Sequence, residues 1–142
     1  MKKNSKLSAQ FILFGLILLF TTVSFSVEGK SIKKFIGTWT QCDKNGHIVA
    51  LNENNVREYK IITPDQFLVY QSNEKMAIMI FSGTLRIDKD TLSETILIST
   101  PNMVSENGKV NSFRYRFEKG LLYIEGTNNQ YNQIWKKVIP FQ

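Results

Sequence analysis

The chain has 142 residues, 42% of them hydrophobic, with 18 Lys and Arg against 12 Asp and Glu. Three of those cations, Lys2, Lys3 and Lys6, fall in a leader that ends at residue 26, and every acidic residue lies beyond it. The remaining 116 residues hold one domain with a modest core and no second one. They carry 15 cations and 12 anions, a net charge of +3 spread along the chain, and no nucleic-acid partner is expected from it.

The leader comes first. Lys2, Lys3 and Lys6 make a basic start, residues 11–23 run uncharged and largely apolar, and small residues follow at Ser24 and Ser26. That is the layout of a secretory signal peptide over residues 1–26, cleaved before Val27, with Val27-Glu28-Gly29 offering a second site. An uncleaved anchor is the alternative, because the apolar run approaches the roughly 17 residues that just span a bilayer. The mature domain, residues 27–142, is expected to be secreted or periplasmic and to have no stable membrane span. Cys42 stands too far downstream to be acylated at the cleavage site, so a lipoprotein is not expected. A lone cysteine in an exported chain forms no intrachain disulfide. Cys42 reads as a small buried hydrophobe, with an intermolecular bridge or a reactive thiol as the alternatives.

From Gly37 onward the apolar period is two, the mark of strands. A short helical turn over residues 31–36 should precede eight strands, at 37–43, 56–63, 66–72, 76–87, 91–99, 110–118, 121–127 and 131–139. Thr63-Pro64-Asp65, Asp88-Lys89-Asp90 and Lys119-Gly120 suit tight turns, which favours antiparallel neighbours in up-and-down order. Two longer links, 44–55 and 100–109, are polar and rich in Asn and Gly, and read as exposed loops flanking a mouth. Eight antiparallel strands avoid exposed edges by closing into a barrel; a two-sheet sandwich is the rival architecture.

The phrase Phe35-Ile36-Gly37-Thr38-Trp39 opens the first strand. It resembles the start of the calycins, the lipocalins and fatty-acid-binding proteins, where Gly-x-Trp follows a short helical turn. More narrowly, Gly37-Thr38-Trp39, Gly83-Thr84 with Glu94, and Trp135-Lys136-Lys137 look like the pattern of short lipocalin-like exported proteins of gut bacteria. The resemblance implies an eight-stranded up-and-down lipocalin-like barrel. It also implies a structural signature of Gly37, Trp39 and a basic side chain of the last strand, Lys136 or its neighbour Lys137, laid across the tryptophan. The chain departs from typical lipocalins in being shorter and in lacking the Thr-Asp-Tyr signature and the disulfide, which admits a shallow or filled barrel.

Alternation assigns the candidate site. Phe113, Tyr115 and Phe117 share one face of the sixth strand and should point inward. On the fifth strand Glu94 shares a face with Leu92, Ile96 and Ile98. A carboxylate on an apolar row needs a partner. Either Glu94 anchors a polar or cationic group of a ligand, or it is satisfied structurally by a tyrosine hydroxyl, a lysine such as Lys136, or backbone donors. Tyr59, Tyr70, Tyr115 and Tyr123 combine a ring with a polar tip, which suits an amphipathic ligand or an ordinary core. The candidate ligand-binding set is Glu94, Tyr115, Tyr123, Phe113, Phe117 and Tyr59. Trp135, opposite in parity to Ile134, Lys136 and Val138, is expected to face outward toward a partner or to pack on the N-terminal turn.

Catalytic signals are thin. The single histidine, His47, sits beside Asn45-Gly46 without a metal-spaced cluster or a nucleophile, and the glycines stand singly. No metal, cofactor or enzymatic activity is expected, although a carboxylate such as Glu94 in an apolar cavity is the base that some calycin-like isomerases and cyclases use. Two functions follow. One is an exported barrel holding a small hydrophobic or amphipathic molecule. The other is a side-chain-filled barrel whose loops engage a protein or a glycan.

Overall fold

A computed structural model of the chain describes residues 28–138; the expected signal peptide and residues 139–142 lie outside the described residues. Helix α1 (Glu28–Phe35) leads into β1 (Gly37–Gln41), β2 (Arg57–Ile62), β3 (Gln66–Ser72), β4 (Ala77–Asp88) and β5 (Thr91–Ser99). A 3-10 turn (Pro101–Glu106) then precedes β6 (Val110–Glu118), β7 (Leu121–Gly126) and β8 (Asn132–Lys137). The eight strands form a closed antiparallel barrel in which each pairs with its sequence neighbours and β8 returns to β1. Closure satisfies the ladder groups that a sandwich leaves at its edges.

Local chemistry sets the strand ends. Glu118 faces Leu121 across Lys119-Gly120, both with positive φ (50° and 79°), the two-residue turn whose twist matches a hairpin. β1 stops at Gln41, two residues short of expectation. There the Asp43 carboxylate accepts the backbone N–H groups of Asn45 and His47 and turns the chain out of the sheet. Those bonds, that of His47 foremost, hold the Asp43 carboxyl below the usual carboxylate range. Between β4 and β5 the register shifts at Ser82/Gly83. A Cβ on Gly83 would run into the carbonyl oxygen of Thr95, so the two backbones approach where only glycine fits. Beyond this bulge alternation is lost, and Ile98, expected inside with Glu94, is exposed.

Up-and-down order sends the short turns 63–65, 89–90 and 119–120 to the end of the barrel where α1 enters β1. The links 42–56, 73–76, 100–109 and 127–131 fall at the other, the loop end. Ile32 and the residues after it belong to one compact unit. Phe35, fully buried, meets Tyr115 and Phe117 edge-on at 4.8 and 5.0 Å, closing the helix end with rings. The Trp39 indole N–H donates to the Phe35 carbonyl at 2.7 Å, satisfying a carbonyl that the helix leaves open.

The basic side chain across Trp39 is that of Lys137, 5.4 Å from the ring centroid, rather than Lys136. Register is the reason. Lys137 stands directly opposite Trp39, whereas Lys136 stands opposite Thr40 on the outer face and donates to the Gly46 carbonyl at 3.3 Å. Trp135, expected to face outward, lies inside. It is 1% exposed and points inward with Gln133 and Lys137, because β8 carries apolar residues on both parities and pairing with the buried Leu122 decides between them. Gly37 has φ +136°, and Lys137 crosses over its Cα. Gly37→Ala should therefore cost about 1–3 kcal/mol in urea unfolding through backbone strain. Shortening the crossing side chain in Gly37→Ala/Lys137→Ala should not restore the loss; full rescue would place the cost in side-chain crowding instead.

Candidate functional site

The barrel interior divides into two halves. Toward the helix end it is apolar and aromatic, built on Phe35, Trp39, Ile62, Leu92 and Leu122. Toward the loop end, charge enters. On β2, alternation turns Glu58, Lys60 and Ile62 inward; on β5 it turns Leu92, Glu94 and Ile96 inward. These strands are not neighbours, and Lys60 reaches across the lumen to donate to Glu94 Oε1 at 2.7 Å. Both residues are 5% exposed. The ammonium also lies over the rings of Trp135 (5.0 Å) and Phe67 (5.7 Å), a placement worth roughly 0.5–2 kcal/mol per contact that offsets part of its desolvation.

Above the pair is a cavity of about 50 Å³, lined by Glu58, Lys60, Glu94, Trp135 and the rings of Phe81 and Phe113, with Asn111, Gln133 and Tyr131 at its mouth. A single water needs roughly 10–15 Å³ of such space, so the cavity holds a few water-sized groups. Pockets that enclose whole organic ligands run to about 300–1,000 Å³. The Glu58 carboxylate accepts from the Gln71 side-chain amide at 3.1 Å. Trp135 Nε1 is the one buried side-chain polar atom without a partner among the described residues.

Of the candidate residues, Glu94 and Phe113 line this cavity together. Tyr115 and Phe117 lie at the helix end against Phe35, and the Tyr115 hydroxyl donates to the Lys89 carbonyl at 2.7 Å. Tyr59 and Tyr123 are not interior. Tyr59 alternates with inward Glu58 and Lys60 and stacks on Tyr70 outside the barrel, with ring centroids 5.1 Å apart. Tyr123 alternates with inward Leu122 and Ile124 and lies under the Arg116 guanidinium at 4.1 Å. In both cases the neighbouring residues of the strand hold the inner face. The partner of Glu94 is Lys60, not Lys136. The signal for it was the row Glu58-Lys60-Ile62, hidden because Tyr59 and Ile61 look like the more natural interior face.

The loop end is also the apolar end of the surface. Among the described residues, every exposed large hydrophobic except Ile36 and Val138 lies on its loops or the strand halves that lead to it. Leu51, Met76, Ile78, Val104 and Val110 are 41–57% exposed. Within the described residues no helix is long and apolar enough to cross a membrane, and no three His, Cys, Asp or Glu side chains converge on a metal-sized point.

Removing one member of the buried pair strands the other charge. Lys60→Met should lose about 3–5 kcal/mol in urea unfolding, and Lys60→Met/Glu94→Leu should recover most of it. A loss below about 1 kcal/mol for the single variant would mean that solvent already serves Glu94. Cys42 is buried, and burial, with the nearby Asp43 charge, raises its thiol pKa against the opposing effect of Lys136. At mildly alkaline pH it should react with a thiol reagent far more slowly in the folded protein than in urea; equal rates would place the thiol at the surface.

Among curated proteins none matches this chain. A crystal structure of an uncharacterised protein from Bacteroides eggerthii is similar, with 13% sequence identity and a TM-score of 0.48, over 72% of this chain and 98% of that one. Residues 34–141 match a family described as a domain of unknown function, DUF4488. That span takes in the whole barrel, and the chain belongs to the DUF4488 family.

Proposed function

We propose that this protein is an exported, lipocalin-like, side-chain-filled barrel that works as an interaction module, engaging a partner protein through its loop end. The observation that carries this reading is the size of the cavity beside the Lys60–Glu94 pair, about 50 Å³, against the few hundred that a carrier of a hydrophobic or amphipathic molecule needs. The surface supports it as well. The helix end is closed by Phe35 and its rings, while exposed Met76, Val104 and Val110 gather toward the opposite end, where burial against another protein would remove them from water. The α1–Gly37–Trp39–Lys137 arrangement supports the lipocalin-like kinship. Export rests on the leader sequence.

A photo-crosslinking side chain placed at Val104 or Met76 should give a discrete protein adduct in the cells that make the protein, and one at Val138 should not. Val104→Asp should abolish the Met76 adduct without lowering barrel stability. Equal adducts from both ends, or a bound molecule of several hundred daltons released from the purified protein in native mass spectrometry, would overturn the proposal.

A further inference from the structure

We infer that the mouth of the barrel holds a site for one primary alkylammonium group, that Glu58 is its carboxylate, and that its occupant is a lysine side chain presented by the partner. This rests on the loop end being the working face and adds the chemistry it recognises.

The charges lead to Glu58. The cavity is lined by three charged side chains, Glu58, Lys60 and Glu94, and two of them cancel in the 2.7 Å ion pair. What remains is Glu58, half-buried at the lip. Its hydrogen-bond partner is the neutral Gln71 amide, and no cation lies within ion-pair distance of it among the described residues. A carboxylate partly removed from water without a counter-charge is costly, and a cation entering the cavity relieves that cost while bringing the lining to neutrality. An anion meets two carboxylates and one already engaged ammonium; a neutral group gains nothing from charge.

The other lining groups fit the same guest. An ammonium has three donors. Besides Glu58, the half-buried side-chain amides of Asn111 and Gln133 line the cavity, and their oxygens are not engaged by any hydrogen bond within the described residues. Among those residues the cations over rings sit on Phe67, Trp135, Trp39, Phe117 and Tyr123. The lining rings Phe81 and Phe113 carry none among those residues, and a ring beside the cavity is a partner for a cation. About 50 Å³ accommodates an ammonium and the last methylenes of its chain, but not a larger molecule, so the remainder of the guest must lie outside, along the apolar rim.

The test is NMR on the full chain, following the Trp135 indole N–H and the Asn111 and Gln133 side-chain amides. The probes are n-butylammonium, n-butanol, butyrate and a capped Gly-Lys-Gly peptide. Butylammonium and the peptide should shift these signals saturably, the alcohol and butyrate should not, and Glu58→Gln should weaken binding by about tenfold or more. If Glu58→Gln does not fold, Asn111→Ala/Gln133→Ala should weaken it by a similar direction and smaller factor. No saturable shift, equal response to butanol, or unchanged affinity in these variants overturns the site. Binding of butylammonium without the peptide overturns the lysine in favour of a free amine. Crosslinks from the loop end together with no ammonium binding would remove this inference and leave the interaction module standing; ammonium binding without such crosslinks would leave the ammonium site standing and remove the interaction module and the partner's lysine with it.

Discussion

The return of β8 to β1 is the constraint on which the rest depends. Three cross-strand pairs, Trp39 with Lys137, Thr40 with Lys136 and Gln41 with Trp135, close the ladder. Because side chains alternate with a period of two, fixing that register decides the inner and outer faces of both strands at once. It turns Trp135 into the lumen, lays Lys137 over Trp39 and leaves Lys136 on the outer surface. A slip of one residue would exchange an indole for a lysine in the interior. The aromatics packed on Phe35 and Trp39 then have a fixed floor to pack against.

Closure also forces the interior to be shared by strands far apart in sequence. An eight-stranded barrel has a lumen that side chains can fill, and here its two halves are lined differently. The helix-end half is packed with rings and aliphatics, as stability alone would favour. The loop-end half contains an ion pair, a further carboxylate and two amides around a small space. A buried ion pair is rarely the most stabilising solution, since apolar side chains of similar volume commonly do as well or better. Here the pair sits beside the cavity, in the half toward the loop end.

One barrel architecture hosts many unrelated functions, so membership of the DUF4488 family locates the chain among relatives without assigning it an activity. The division between the two ends is more informative. One end is closed by Phe35 and the hydrogen bond from Trp39, and the other carries the polar cavity and most of the exposed apolar side chains.

The strand plan was legible in the sequence because period-two alternation and turn residues are local. β3, β5 and β6 run over the expected residues, and the helical turn before Gly37-Thr38-Trp39 is present as α1. The inward placement of Phe113, Tyr115 and Phe117, and the need of Glu94 for a partner, followed from the same alternation. What local pattern could not decide was the inner face of strands with apolar residues on both parities, hence Tyr59, Tyr123 and Trp135. Nor could it show the bulge that exposes Ile98, because Gly83 is required only where the backbone of Thr95 comes close. The identity of the cation beside Glu94 was decided by tertiary structure alone. Lys60 lies 34 residues away on a strand that does not pair with β5, and only the curvature of a closed barrel carries one side chain across to the other.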